Sequence, residues 1–265
     1  MFWCAEIWHW GVLFLLQNCH LLMKENIYLR KIRKREGDWD NSKYPFSIPV
    51  IRDFTELRFE KSVTYIIGGN GSGKSTLLEA IAVLLRINPE GGSRHFNFHT
   101  EETHSSLHEA LIASQASLSY RDTYFFRAES YYNVISEINR RDLNMYYGHL
   151  NYHEFSHGEG FMKLLEHRLT GKGIYIFDEP EAALSFQNQL LFLLWLKDVV
   201  KKGAQIIIAT HSPVILSYPN ASINEIKDGQ LIPTRYCDCS VYRDLYGFLL
   251  NREGCLRELG LFNDG

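Results

Sequence analysis

Val63-Thr64-Tyr65-Ile66-Ile67-Gly68-Gly69-Asn70-Gly71-Ser72-Gly73-Lys74-Ser75-Thr76 reads as an apolar strand, a glycine-rich loop and the start of a helix. Four glycines in the loop let the main chain turn its N–H groups inward around a polyanion, and the following helix adds the positive end of its dipole. The pattern is that of a loop cradling the phosphates of a nucleoside triphosphate, through Gly68, Gly69, Asn70, Gly71, Ser72, Gly73, Lys74, Ser75 and Thr76. Lys74 is placed to reach the β- and γ-phosphates. The Ser75 hydroxyl suits Mg2+, which takes hard oxygen ligands in near-octahedral geometry. Leu77, Leu78, Ile81 and Leu85 fall on one helical face, so strand, loop and helix come in the order the chemistry needs.

Downstream, Gly173-Ile174-Tyr175-Ile176-Phe177-Asp178-Glu179-Pro180 is an unbroken apolar run ending in two carboxylates. Such a run suits a parallel strand buried on both faces, whose C-terminal end meets the ligand. Asp178 is read as a magnesium ligand, through water, and Glu179 as the general base or orienting group for the attacking water. Gln205-Ile206-Ile207-Ile208-Ala209-Thr210-His211 is a second such strand. Its terminal imidazole is placed to hydrogen-bond the γ-phosphate and sense its loss.

Ser156-His157-Gly158-Glu159 reads twice. Locally it is a capping box opening a helix, with Phe161, Leu164, Leu165 and Leu169 as the apolar face. The capped end, with Ser156, Gly158 and Glu159, is also an anion site that the subunit's own phosphate loop leaves without a use. Facing a second copy, it would complete the partner's nucleotide site.

These segments resemble the ATP-binding-cassette superfamily, in the branch of small soluble "AAA family" ATPases related to chromosome-maintenance and recombination-repair ATPases. The likeness runs from about Ile27 to about Arg235 and includes Phe125-Phe126-Arg127-Ala128-Glu129-Ser130. It implies an α/β P-loop NTPase fold: a mostly parallel core sheet with helices on both faces, an antiparallel β edge subdomain and a small helical signature lobe. It further implies that Ser156, Gly158 and Glu159 form the signature loop, with His157 standing where a glycine is common. Glu181-Ala182-Ala183-Leu184-Ser185 is similar to the loop linking two active sites. Glu129 takes the glutamine-loop position near magnesium. The implied activity is hydrolysis of ATP, with Lys74, Glu179 and His211 catalytic and Ser75, Asp178 and Glu129 around Mg2+. The implied assembly is a homodimer closing head to tail on two ATP molecules.

Composition narrows the rest. Within 265 residues there is room for one full core or a core with a subdomain, and the net charge of -3, from 28 basic and 31 acidic residues, supplies no global field toward nucleic acid. The basic run Lys31, Arg33, Lys34 and Arg35 is explained by a solvated strand face. Five cysteines (Cys4, Cys19, Cys237, Cys239 and Cys255) show neither a disulfide frame nor zinc spacing. Residues 1–22 are apolar and tryptophan-rich, but Glu6, His9, Gln17, Asn18 and His20 interrupt them, so no membrane insertion is expected. They read as a start-site artefact or as a disordered or partner-binding lead to a domain at 23–265. Within that domain, 87–170 is expected as the helical signature lobe and 222–265 as a C-terminal hairpin and helix.

Ile27 to Arg35 and Phe54 to Phe59 read as strands of the antiparallel edge sheet, Ile223 to Ile232 as a hairpin turning at Asp-Gly, and Gln189 to Lys201 as a helix apolar nearly all round. Tyr131, Tyr132, Tyr146 and Tyr147 are read as packing within the lobe, with base stacking as the alternative. Tyr44 is the upstream aromatic offered for stacking on adenine. Three roles fit: a cytoplasmic ATPase switch driving a DNA-repair, defence or regulatory partner (a nuclease, toxin or repair factor, with DNA an open possibility), the nucleotide subunit of a transporter, or an ATPase paired with a nuclease on another polypeptide.

Overall fold

The computed structural model describes residues 26–89, 91–93, 105–116, 120, 122–128, 135–136, 140, 155, 157–169 and 171–261. Among the described residues, ten strands form two sheets. The larger has the order β10-β9-β3-β8-β7-β6-β4, where β3 is Val63–Gly68, β4 Gly92–Ser93, β6 Asp122–Arg127, β7 Gly173–Asp178, β8 Gln205–Ala209, β9 Ser222–Lys227 and β10 Gln230–Thr234. Its five central strands run parallel, and the two edges, β10 and β4, run antiparallel. Every residue of β3, β7 and β8 is buried, as expected of strands covered on both faces.

Alternation along these strands sorts the core into two layers. Tyr65, Ile67, Tyr175, Phe177, Ile206 and Ile208 face α3 (His157–Arg168), α4 (Phe186–Lys201) and α5 (Pro213–Leu216). Ile66, Ile174, Ile176, Ile207 and Phe125 face α2 (Lys74–Leu84) and the smaller sheet. Helices therefore lie on both faces of the core sheet.

The smaller sheet, β2-β1-β5, is antiparallel and joins Leu29–Lys34 (β1), Glu56–Arg58 (β2) and Leu111–Gln115 (β5). One buried side chain ties it to the core sheet. Gln205 accepts from Tyr28 N and Leu29 N and donates to Leu29 O, each at 2.8 Å.

Three expectations need adjustment. Segment 87–170 is not wholly a helical lobe: β4 and β6 belong to the core sheet and β5 to the edge sheet. Thr123, Tyr124, Phe125 and Phe126 are all buried, which is strand behaviour, and the polar residues around that short run hide it in the sequence. Helix α4 starts earlier than expected and is not apolar on a buried circumference. It buries Phe192, Trp195, Leu196, Val199 and Val200 on one face and leaves Leu191 49% and Leu194 52% exposed, because only that face meets the sheet among the described residues. After β10 come two helices, α6 (Ser240–Leu250) and α7 (Arg252–Glu258), where one was expected. The hairpin turns at Asp228 (φ 50°) and Gly229 (φ 76°), the two positive values a type I′ turn requires. The lead 1–22 and Tyr131, Tyr132, Tyr146 and Tyr147 lie outside the described residues.

Candidate functional site

Strands β3, β8 and β7 are neighbours, and their register pairs Ile66 with Ala209 and Asp178 with Ala209. The phosphate loop, the carboxylate pair and the histidine therefore emerge side by side from one edge of the sheet. A crevice outside the carboxyl ends of parallel strands is where open α/β sheets place their ligands.

The loop itself is built from backbone. Gly71 (φ 70°) and Gly73 (φ 101°) adopt left-handed conformations that side chains resist. Behind Gly73 there is no room either: a Cβ there would lie 2.8 Å from Val50 Cγ1 and 3.0 Å from Ile48 Cγ2, on helix α1 (Pro49–Arg52) and its cap. Gly73 caps α2 without a side-chain acceptor, so the first N–H groups of an 11-residue helix stay available to a ligand. Lys74 is 4% exposed, and its Nζ donates to Gly68 O and Gly69 O at 3.0 Å each. Burial lowers its pKa, against the opposing pull of Glu179, Asp178 and Glu181. The Ser72 hydroxyl is buried with no hydrogen-bond partner among the described residues, and a Cβ on Gly68 would lie 3.0 Å from it. Asn70 is exposed at the tip.

Ser75 Oγ donates to Asp178 Oδ1 at 3.2 Å, bringing a hydroxyl and a carboxylate together at the start of α2. Two hard oxygen donors without a soft ligand fit magnesium, so Ser75 and Asp178 would hold it. Arg127, next to Asp178 across β6 and β7, has Nε 3.9 Å from Asp178 Oδ2 and Nη1 3.2 Å from Glu79 Oε2. Thr76 Oγ1 lies 3.5 Å from the Tyr44 hydroxyl, whose side chain is 63% exposed beside the first turn of α2.

Glu179 sits in the left-handed region (φ 51°, ψ 53°) and its N–H donates to Ala209 O at 3.0 Å. This turns the chain sharply after β7 and presents the carboxylate toward β8, where Glu179 Oε1 is 3.5 Å from His211 Nε2. That imidazole nitrogen is buried and makes no hydrogen bond among the described residues. Around it runs a ring of side-chain contacts. Glu181 Oε2 accepts from Thr210 Oγ1 at 2.8 Å and Glu181 Oε1 from His211 N. Ser212 N donates to Thr210 Oγ1 at 2.9 Å, Ser212 Oγ to Gln189 Oε1 at 2.6 Å, and Gln189 Nε2 to Leu184 O at 3.2 Å.

The structure thus brings together Lys74, Ser75, Asp178, Glu179 and His211. Ser156 and Glu129 lie outside the described residues. Gly158 begins the second position of α3, but it is buried and faces its own chain: a Cβ there would run into the Asn188 amide and lie 3.2 Å from Ala183 O. Its lack of a side chain serves the packing of α3 on α4, and Glu159 is exposed on the first turn. Sequence reading gave no separate role to Arg127, Thr210 or Gln189. Nothing local marks them, since Glu181 and Thr210 meet across 29 positions of chain.

A family model described as "AAA domain" matches residues 46–158, and one described as "AAA domain, putative AbiEii toxin, Type IV TA system" matches residues 147–217. The chain is 31% identical over 168 residues to the cytochrome c biogenesis ATP-binding export protein CcmA of Rhizobium johnstonii, spanning 56% of this chain and 75% of that protein. It is 25% identical to a probable iron chelatin transport ATP-binding protein of Helicobacter pylori, over 72% of this chain and 83% of that one. Among solved structures, the SMC head domain from Thermotoga maritima aligns at a TM-score of 0.42 and 17% identity, covering 79% of this chain and 100% of that chain. With the phosphate loop, the Asp-Glu strand end and the histidine strand end assembled on adjacent strands, and a relative of this identity matched over three quarters of its length, the chain belongs to the ATP-binding-cassette superfamily of ATP-binding proteins.

Proposed function

We propose that this protein hydrolyses ATP as a nucleotide switch, two copies closing head to tail around two ATP molecules. The observation that carries the proposal is the placement of Glu179 and His211 opposite Lys74 and the Ser75–Asp178 pair at one sheet edge. Lys74, released from the Gly68 and Gly69 carbonyls, would pair with the β- and γ-phosphates. Loop N–H groups would hold the same oxygens. Bound magnesium would supply Lewis-acid stabilisation of charge on the phosphates. Glu179 would orient water and take its proton, and the His211 Nε2–H would donate to a γ-phosphoryl oxygen. In the closed dimer, the N-terminus of α3 with Ser156 and Glu159 would meet the partner's γ-phosphate, Gly158 serving there to let α3 pack on α4. Each tenfold bias toward closure takes about 1.4 kcal/mol, within reach of two charge-assisted hydrogen bonds per site.

Glu179→Gln and Lys74→Ala test this directly. The first should bind ATP, lose hydrolysis by roughly a hundredfold or more, and accumulate as a dimer on size exclusion. The second should neither bind nor dimerise. No ATP-dependent mass change in Glu179→Gln would sink the sandwich.

The switch is proposed to drive a DNA-repair, defence or regulatory partner in the cytoplasm. A second reading has a specific observation behind it: the two relatives above are named as export and transport ATP-binding proteins. Among the described residues no helix is long and apolar enough to cross a membrane, and that reading calls for a membrane permease as partner. Proteins co-purifying with the Glu179→Gln dimer decide between the two, a permease pointing to transport and a nuclease or toxin to defence.

A further inference from the structure

The loop between β7 and α4 carries a further carboxylate, to which the hydrolysis outlined above assigns no step. Glu181 lies in the short 3-10 turn Pro180–Ala183, two residues beyond Glu179, and reaches across to the end of β8. Its two oxygens are divided between two adjacent residues: Oε2 accepts the Thr210 hydroxyl and Oε1 the main-chain N–H of His211. His211 follows the last residue of β8 by two positions, beyond the point where the sheet can hold its amide. A carboxylate acceptor is the strongest fixed partner available to a lone N–H at a strand end. Thr210 is fully buried, so the hydroxyl that completes the pair cannot exchange freely with water.

The same few residues brace Glu179. Its N–H donates to Ala209 O, so the chain on either side of Pro180 is pinned to the chain on either side of Ala209. Two crosslinks, one of main chain and one of a carboxylate, hold Glu179 and His211 in a fixed relation with 3.5 Å between Oε1 and Nε2. Beyond them, Ser212, Gln189 and Leu184 continue the linkage to the far end of the same loop.

We propose that Glu181 is a positioning residue for hydrolysis: by holding the His211 main chain and the Thr210 hydroxyl, it sets the imidazole against Glu179 and makes the 180–185 loop and the histidine segment move as one body. The inference rests on the ATPase reading above, and its route is confined to one chain, so it stands whether or not two copies close. Glu181 acts on the reaction through His211, whose main-chain N–H it holds.

Kinetics of Glu181→Ala, Glu181→Gln and His211→Ala, alone and combined, test it in the full chain. Glu181→Ala should lower kcat about tenfold to a hundredfold while KM and ATP affinity stay within about threefold, as expected for loss of charge-assisted bonds that act on orientation alone. Glu181→Gln retains an acceptor for His211 N–H and should recover most of the rate. Because Glu181 works through the imidazole, Glu181→Ala added to His211→Ala should cost nothing further. Additive losses, an unaltered kcat in Glu181→Ala, or equal damage from Gln and Ala would each overturn the proposal. Should Glu181→Ala fail to fold, Thr210→Val, which removes one of the two bonds, should show a smaller loss of kcat with the same unaltered KM, and a wild-type rate in it would count against the role. If the wild-type chain hydrolyses no ATP, the ATPase reading fails by itself; the brace is then read from the His211 amide proton by nuclear magnetic resonance, which should move upfield in Glu181→Ala and does not if the bond is absent.

Discussion

On one side of the site, the loop 68–76 gets its shape from main chain: left-handed glycines, uncapped N–H groups and a lysine resting on two carbonyls. Across from it, at the ends of β7 and β8, shape comes from side chains: Glu181 on Thr210 and His211, Ser212 on Gln189, and Glu179 turned toward an imidazole. A main-chain cradle has few ways to relax, because its conformation is fixed residue by residue. A ring of side-chain bonds shares its load and can recruit water where one member is lost. The loop side should therefore be brittle and the histidine side graded.

The sharpest way to break that contrast is Gly73→Ala. The new methyl would meet Val50 Cγ1 at 2.8 Å while the backbone sits at φ 101°, so neither a rotamer change nor a small shift relieves it. Left-handed strain of about 1–2 kcal/mol and overpacking of about 1–3 kcal/mol predict a loss of about 2–5 kcal/mol in unfolding free energy, with ATP binding lost as well. Urea titration gives the first and equilibrium binding of a fluorescent ATP analogue the second. A variant of wild-type stability that still binds ATP would show that the cradle is softer than its geometry implies.

Next in size is Gln205→Leu, at the opposite end of β8 from the histidine. Here a side chain does what the main chain does in the loop: it satisfies two N–H groups and a carbonyl where β1 leaves its sheet and meets the core. Leucine would leave those groups buried and unpaired, costing about 2–3 kcal/mol after partial relaxation. Urea titration should show the lowered midpoint, with ATP affinity unaltered because the phosphate loop lies at the other end of the sheet. A loss under about 1 kcal/mol would mean that water reaches the junction and that side-chain crosslinks are cheap throughout this fold.

The same contrast governs what could be read from residue order. Glycine spacing, the apolar runs 63–67 and 173–177, and the Asp-Gly hairpin turn are local signals, and the structure places all of them as strand, loop and turn. Gln205 reads only as the polar first residue of an apolar strand; that it binds Tyr28 and Leu29 depends on how two sheets meet across more than 170 positions. Glu181 shows the same limit, recognisable as part of a loop but not as a clasp on His211 N. Strand β6 was hidden for another reason: four buried residues in a row carry no period, and polar flanks outweigh them. Helix α4 misled in the opposite direction, since an apolar circumference does not reveal which faces are covered.

The smallest effect separates the two halves most finely. Ser212 Oγ donates to Gln189 Oε1 at 2.6 Å and accepts from Val214 N and Ile215 N at 3.2 Å each, so Ser212→Ala removes both a helix cap and one link of the ring. Cap loss of this kind costs about 1 kcal/mol. Gln189 is partly exposed and can turn its carbonyl oxygen to water, so the missing link adds little. Urea titration should thus show a loss of about 1 kcal/mol, and Ser212→Thr, which keeps the hydroxyl, should restore most of it. ATP binding should be unaltered in both variants, because neither touches the glycine loop. A loss as large as that of Gly73→Ala would erase the distinction, since one hydroxyl would then carry as much geometry as a left-handed backbone.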